Sequence, residues 1–255
     1  MSEVLLPLGT VVIVKGFANA SYSQRVTVTP ASGQAIVFTG SGENNTLIGR
    51  GHFTTPTTWN ADRFPVTVAM EYNNGSGWQS SVVFNDYCYA QTYNLEVTVA
   101  EDAVDGDYND AICMVTWSEP RSTTNPPTSE TVYLTPSTNV VIQSFANSEK
   151  TQRVTITPER GSPIVFQGQG MFDTPIGSNT FAVPTNPASP RLGFKMTINV
   201  DHSTDNGATW QPSKVKKVPC VIRYYHLQTI ASEDGADDKW DEATTYFTWT
   251  TAPSG

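Results

Sequence analysis

Apolar and polar side chains alternate along Arg25-Val26-Thr27-Val28-Thr29, and the same period of two runs through Phe64-Pro65-Val66-Thr67-Val68-Ala69-Met70 and Leu95-Glu96-Val97-Thr98-Val99. An extended chain points successive side chains to opposite faces, so each segment predicts a half-buried strand. Ala111-Ile112-Cys113-Met114-Val115-Thr116-Trp117 is apolar throughout and reads as a buried strand. Asn73-Asn74-Gly75-Ser76-Gly77 has the turn chemistry of a hairpin connection. Long helical periodicity is absent, and Thr, Val and Asn are frequent. Short strands separated by such turns predict an all-β, antiparallel β-sandwich.

The pattern occurs twice. Phe17-Ala18-Asn19 recurs as Phe145-Ala146-Asn147, and Gln24-Arg25-Val26-Thr27-Val28-Thr29-Pro30 as Gln152-Arg153-Val154-Thr155-Ile156-Thr157-Pro158, both 128 residues on. Asn74-Gly75-Ser76-Gly77-Trp78 then matches Asn206-Gly207-Ala208-Thr209-Trp210 at an offset of 132, which Cys88/Cys220 and Trp117/Trp249 keep. Four extra residues therefore lie between Gly177 and Asn206. The organisation expected is two tandem sandwich domains, 1–117 and 132–255, joined by a linker at 118–131 whose Pro, Ser, Thr and Asn cannot form a packed core.

Charge and cysteines narrow the classes. The formal net charge is −9. Nucleic acid and anionic membranes need clustered Lys and Arg, so neither is an expected partner. No apolar run is long enough to span a membrane, so membrane insertion is not expected. Met1-Ser2-Glu3-Val4 lacks the basic and apolar stretches of an ordinary signal peptide. An extracellular or cell-surface location reached by another export route is expected, with cytoplasmic storage as the alternative. Cys88, Cys113 and Cys220 have no disulfide-framework or zinc spacing, and Cys88 and Cys220 read as small buried hydrophobes.

Candidate chemistry concentrates in one loop. Glu101, Asp102, Asp105, Asp107, Asn109 and Asp110 place six oxygen-bearing side chains in ten residues. Five carboxylates so close repel one another, and a hard cation with six to eight oxygen ligands resolves that repulsion. Gly106 allows the turn that lets the side chains converge. No His or thiolate joins them, which disfavours zinc, copper and iron; magnesium prefers fewer carboxylates, so calcium is favoured. The flanking segments are strands, so this is no EF-hand. A solvated acidic turn, or a calcium that only stiffens the loop, is the plain alternative.

The loop, followed by an apolar strand ending in Trp117, resembles the LecB-type bacterial lectins, which bind fucose and mannose through calcium. Phe17-Ala18-Asn19-Ala20-Ser21 and Phe38-Thr39-Gly40-Ser41-Gly42-Glu43-Asn44-Asn45 are similar to two more segments of that family in order and spacing. The resemblance implies an arrangement like a covalently fused lectin dimer. It implies two calcium ions in the first domain, held by Asn19, Glu101, Asp105, Asp107, Asn109 and Asp110, with Asp107 and Asp110 bridging both. Sugar hydroxyls would coordinate the ions directly, and Asp102 would accept a hydroxyl hydrogen bond. Ala20, Ser21 and Tyr22 match the family's specificity loop, where Ala in the first position goes with mannose and Ser with fucose; a mannose-type preference is expected. Tyr22 and Glu43 stand where the family carries small residues. The terminal Gly255 matches a residue whose carboxylate, in the family, reaches the partner's calcium site, so Gly255 would complete the first site as metal and sugar ligand.

The second copy departs from this. Its loop reads Glu233-Asp234-Gly235-Ala236-Asp237-Asp238-Lys239-Trp240-Asp241-Glu242. Lys239 replaces bridging Asp107, and an ammonium has no acceptor for a cation. Ser148-Glu149-Lys150 replaces the specificity loop. No calcium pair is expected there, with one weak ion as the milder alternative. The leading expectation is a lectin for mannose- and fucose-containing glycans; the other class is a calcium-stabilised structural or adhesive module, which would not need Asn19 with Asp102. His52, His202 and His226 show no nucleophile partner and read as surface or packing residues, so an enzyme is not expected. A two-domain monomer or a homodimer of tandem chains is compatible with this organisation.

Overall fold

The computed structural model describes residues 1–102, 107–119, 126–188, 193–235 and 240–251, and among these there is no helix. The first repeat consists of β1 (Ser2–Leu6), β2 (Val11–Pro30), β3 (Ile36–Thr54), β4 (Phe64–Asn73), β5 (Trp78–Ser80), β6 (Val82–Ala90), β7 (Tyr93–Glu101) and β8 (Ala111–Ser118). The second has β9 (Ser129–Leu134), β10 (Asn139–Pro158), β11 (Ile164–Ala182), β12 (Phe194–Ser203), β13 (Gln211–Pro212), β14 (Lys214–Ile222), β15 (Tyr225–Glu233) and β16 (Ala243–Thr250). Within the stretch 118–131, Ser118 thus ends β8 and residues 129–131 open β9. Offsets of 130 for Phe64/Phe194 and 132 for Trp78/Trp210 put two of the four extra residues before β12 and two after it.

Each repeat forms one antiparallel eight-stranded sheet folded over its own core. The order is β1-β4-β2-β8-β7-β6, with β3 on β2 and β5 on β4; the second sheet repeats this plan. The long β2 changes partners midway. Residues 12–18 pair with β8 and residues 23–30 with β4. Register shifts against β3 fall between Gly16 and Phe17 and on both sides of Ala20, which bends the strand where Asn19 lies.

The alternation in β4 is realised: Phe64, Val66, Val68 and Met70 are buried in the first core. By contrast, all nine residues of β7 are buried. Its second face is covered by the other repeat. Phe17, Leu95, Val97 and Ile112 pack with Phe145, Val218, Leu227 and Tyr246 in a third core between the repeats. A Leu or Val fully buried there contributes about 1.5–3 kcal/mol.

That interface carries two features absent from the sequence reading. Cys88 and Cys220 form a disulfide between β6 and β14, with Cα atoms 6.2 Å apart. This corrects the reading of both as simple buried hydrophobes. Equivalent residues near a twofold axis meet their own counterpart, so a repeated cysteine there pairs with itself. Cys113 stays free and buried, its thiol pushed up to about 12 by burial. The second feature is an ion pair between Lys15 and Asp173, both fully buried, with the Lys15 ammonium also donating to the Tyr246 hydroxyl at 2.7 Å. Burial lowers the Lys15 pKa, but the Asp173 carboxylate and Tyr246 outweigh it, and the pKa lies above its ordinary value.

Candidate functional site

The loop between β7 and β8 brings its carboxylates together because both its ends are anchored in neighbouring paired strands. Ligand-capable oxygens of Glu101, Asp102 and Asp110 lie within 4.8 Å of one another, and all three residues are buried. The Asp102 N–H donates to Asp110 Oδ2 at 2.6 Å, and the Tyr108 N–H to Glu101 Oε2 at 3.1 Å. Asn109 Nδ2 donates to Asp107 Oδ2 at 2.8 Å. Tyr108 takes a left-handed φ of 58°, which turns the chain inward, and its ring meets Phe84 edge-on at 5.0 Å. Arg223 of the second repeat lies 4.1 Å over that Phe84 ring, so the other repeat also braces the loop.

The bend in β2 delivers Asn19 to this loop. Its N–H donates to the Asp110 carbonyl at 2.9 Å. Its side chain makes a reciprocal pair with Asn45 of β3: Nδ2 donates to Asn45 Oδ1 at 2.6 Å, and Oδ1 accepts from the Asn45 N–H at 2.7 Å. Asn45 is buried and left-handed (φ 51°), a conformation Asn tolerates. It also donates to Thr248 Oγ1, while its carbonyl accepts from Gln143 at 2.8 Å. One residue therefore ties the loop, β2 and the second repeat together.

Above these groups opens a cleft of about 430 Å³. Of the residues expected from sequence, Asn19, Ala20, Ser21, Tyr22, Glu43, Asp102, Asp107, Asn109 and Asp110 line it. Glu101 lies in the carboxylate cluster beneath, outside the lining. Asp105 and Gly255 fall outside the described residues. Tyr22 stacks on Tyr72 with ring centroids 6.5 Å apart. The far wall comes from the second repeat: Asn139, Val141, Tyr225, Thr248, Trp249 and Thr250. Sequence reasoning missed these and the role of Asn45. The doubled Asn44-Asn45 was visible as a segment, but no local signal links it to residue 248.

The donor set is entirely oxygen. Three buried carboxylates converging within one cation's reach, with an amide carbonyl alongside, fit a hard divalent ion and are costly without one.

In the second repeat, Glu233, Asp234 and Glu242 also converge within 4.8 Å. Here a cation side chain enters. Lys150 Nζ donates to Asp234 Oδ1 at 2.8 Å, occupying the counterpart of Asp102. The loop sequence pointed instead to Lys239, which, like Asp237, lies outside the described residues. Burial, then the charges of Asp241 and Glu233, push the Glu242 carboxyl up to about 10. The three histidines are engaged in packing: His52 stacks on Phe172 at 3.8 Å, His226 on Trp249 at 5.1 Å, and His202 Nδ1 lies 3.0 Å from Ser213 Oγ.

The family model of the fucose-binding lectin II (PA-IIL) proteins matches the chain twice, over residues 4–119 and 132–251. Similar solved structures include the high-affinity mannose-binding lectin of Ralstonia solanacearum, 24% identical, covering 46% of this chain and 96% of that one, TM-score 0.40. A Chromobacterium violaceum lectin in complex with alpha-methyl-fucoside is 22% identical, with the same coverages and TM-score. The C-terminal domain of a Burkholderia cenocepacia lectin is 18% identical, covering 48% and 96%, TM-score 0.36. No curated protein matches.

Proposed function

The chain belongs to the fucose-binding lectin II family and is a non-enzymatic carbohydrate-binding protein, and from that premise we propose that its first repeat binds mannose- or fucose-type sugars through calcium. Asn19, Glu101, Asp105, Asp107, Asn109 and Asp110 would hold two ions, which supply a positive field that neutral hydroxyls need to compete with water. The protein's own groups then orient the sugar. Asp102 accepts a hydroxyl hydrogen bond, Asn19 is held in place by Asn45, and Ala20 with Tyr22 shapes the rim toward a mannose-type ligand. The observation that carries this reading is the cleft joining the acidic loop to Asn19, the 20–22 loop and Glu43. Mannose preference rests on Ala20.

The second repeat is proposed to hold no calcium pair. The Lys150–Asp234 ion pair supports a loss of sugar binding there as well, because Asp234, the counterpart of the hydroxyl-accepting Asp102, already has a cation partner. The Cys88–Cys220 disulfide supports an oxidising, extracellular setting. Among the described residues no helix is long and apolar enough to cross a membrane.

Calorimetric titration with methyl mannoside and methyl fucoside, with and without chelator, tests the reading. Binding to one site per chain, lost on chelation and tighter for the mannoside, is expected. Binding that survives chelation rejects the calcium mechanism, strong fucoside binding without mannoside binding rejects the specificity, and calcium uptake without any sugar binding favours a structural role.

A further inference from the structure

In each repeat the long strand arches outward at its bulge. Ala20 to Gln24 of β2 stand against only Gly42 to Gly40 of β3, and Ser148 to Gln152 of β10 against Gly170 to Gly168 of β11. The residues in between have no place in the ladder and are pushed out of the sheet. The two arches match in backbone but differ in what they present. Tyr22 of the first corresponds to Lys150 of the second. Tyr72, opposite Gln24 on β4, corresponds to His202, opposite Gln152 on β12.

The second repeat turns both positions inward. Lys150 pairs with Asp234, and His202 is buried with its Nδ1 beside Ser213 Oγ. Tyr22 does the reverse. Its ring is 39% exposed and lines the cleft that holds Asp102 and Asp110. It stacks on half-buried Tyr72 with the planes 26° apart. Tyr72 is fixed in turn: its hydroxyl donates to Gln79 Oε1 at 3.0 Å, and the Gln79 amide donates to Ser76 Oγ at 3.0 Å. A ring supported in this way loses little freedom when a ligand covers its exposed side.

The shape of a sugar says what such a ring is for. A pyranose carries hydroxyls around its edge and C–H groups on its faces. Ions and carboxylates recognise the edge; an aromatic face recognises the C–H face, because both surfaces leave water when they meet. The cleft from the acidic loop to Tyr22 measures about 430 Å³. That lies within the roughly 300–1,000 Å³ of sites for drug-sized ligands, and a single hexose is smaller than those.

We propose that Tyr22, backed by Tyr72, forms a second sugar subsite, which takes the hexopyranose linked to the residue at the acidic loop, so that oligosaccharides are preferred over single sugars. This rests on the sugar-binding reading above. Calorimetric titration in calcium compares methyl mannoside and methyl fucoside with methyl glycosides of α-linked mannosyl-mannose and of fucosyl-galactose. At least one disaccharide should bind the parent about ten-fold more tightly than its monosaccharide. Tyr22→Ser should bring that ratio close to one, and Tyr22→Phe should keep it within about two-fold of the parent's. Tyr72 lies outside the cleft lining; Tyr72→Ser should lower the ratio several-fold while the monosaccharide titrates as in the parent. Disaccharides that gain less than about two-fold, a gain that Tyr22→Ser retains, or one that Tyr22→Phe loses overturns the subsite and leaves the monosaccharide site standing. Failure of both methyl glycosides to bind overturns the two readings together.

Discussion

Replacing Asp173 by Asn should destabilise the protein through a residue more than a hundred positions away in sequence. The substitution preserves shape and suits the left-handed backbone at residue 173 (φ 55°). What it removes is the charge opposite Lys15, whose side chain and that of Asp173 are 0% and 1% exposed. Water cannot reach the ammonium, so solvent screening offers no relief. Breaking one side of a buried pair costs about 3–5 kcal/mol. The Phe145 and Tyr246 rings, 4.7 and 4.6 Å from Lys15 Nζ, stay in place and return part of this, on the order of 1–2 kcal/mol. A net loss of about 3 kcal/mol follows. The mirrored half of the interface supplies the control. There Gln143 occupies the Lys15 position and Asn45 the Asp173 position, and the two neutral residues are joined by a 2.8 Å hydrogen bond from the Gln143 amide to the Asn45 backbone carbonyl. The double variant Lys15→Gln/Asp173→Asn should therefore recover most of the loss. Urea unfolding followed by tryptophan fluorescence reads all three proteins. A single variant that loses less than about 1 kcal/mol, or a double variant no more stable than the single, would refute the buried-charge argument.

Three further outcomes are expected. Cys88→Ser opens a cross-link spanning 132 residues and should lower unfolding free energy by about 2–4 kcal/mol; the parent in reductant should match it in the same urea titration. Asn45→Ala removes hydrogen bonds to Asn19 and Thr248, each worth about 1 kcal/mol, and should weaken calcium-dependent sugar binding about ten-fold or more by calorimetry. Glu242 has a folded pKa raised from 4.5 to about 10. The native state keeps its proton where the unfolded chain releases it, so this contribution is complete below 4.5 and is lost progressively as pH rises toward 10. Glu242→Gln, measured in chelator, should be as stable as the parent near pH 4 and more stable by over about 1 kcal/mol near pH 8; identical pH profiles would contradict this.

Much of the molecule was legible locally. Period-two alternation marks β4 correctly because one face of that strand meets a core and the other meets water. The duplicated motifs give two sheets of one plan, and the oxygen-rich run 101–110 singles out the candidate site, because ligand chemistry needs many donors in few residues. The inequality of the copies was read from Lys239, which lies outside the described residues; the cation beside the second acidic cluster is Lys150, paired with Asp234, and the sequence reading gave it no such role.

Alternation failed where burial came from the other repeat. β7 is buried on both faces, and Leu95 with Val97 signals a core without saying whose. Lys15, within Val11-Val12-Ile13-Val14-Lys15-Gly16-Phe17, carries no local mark of Asp173 or Tyr246. Cys88 and Cys220 are merely repeated letters until docking brings their Cα atoms to 6.2 Å. The far wall of the cleft, and the bridge from Asn45 to Thr248, exist only once the repeats pack. Side-chain periodicity is a property of one strand and is written along the chain; the partner across an interface is set by how two finished sheets bury their remaining apolar faces, and that is decided only in the tertiary structure.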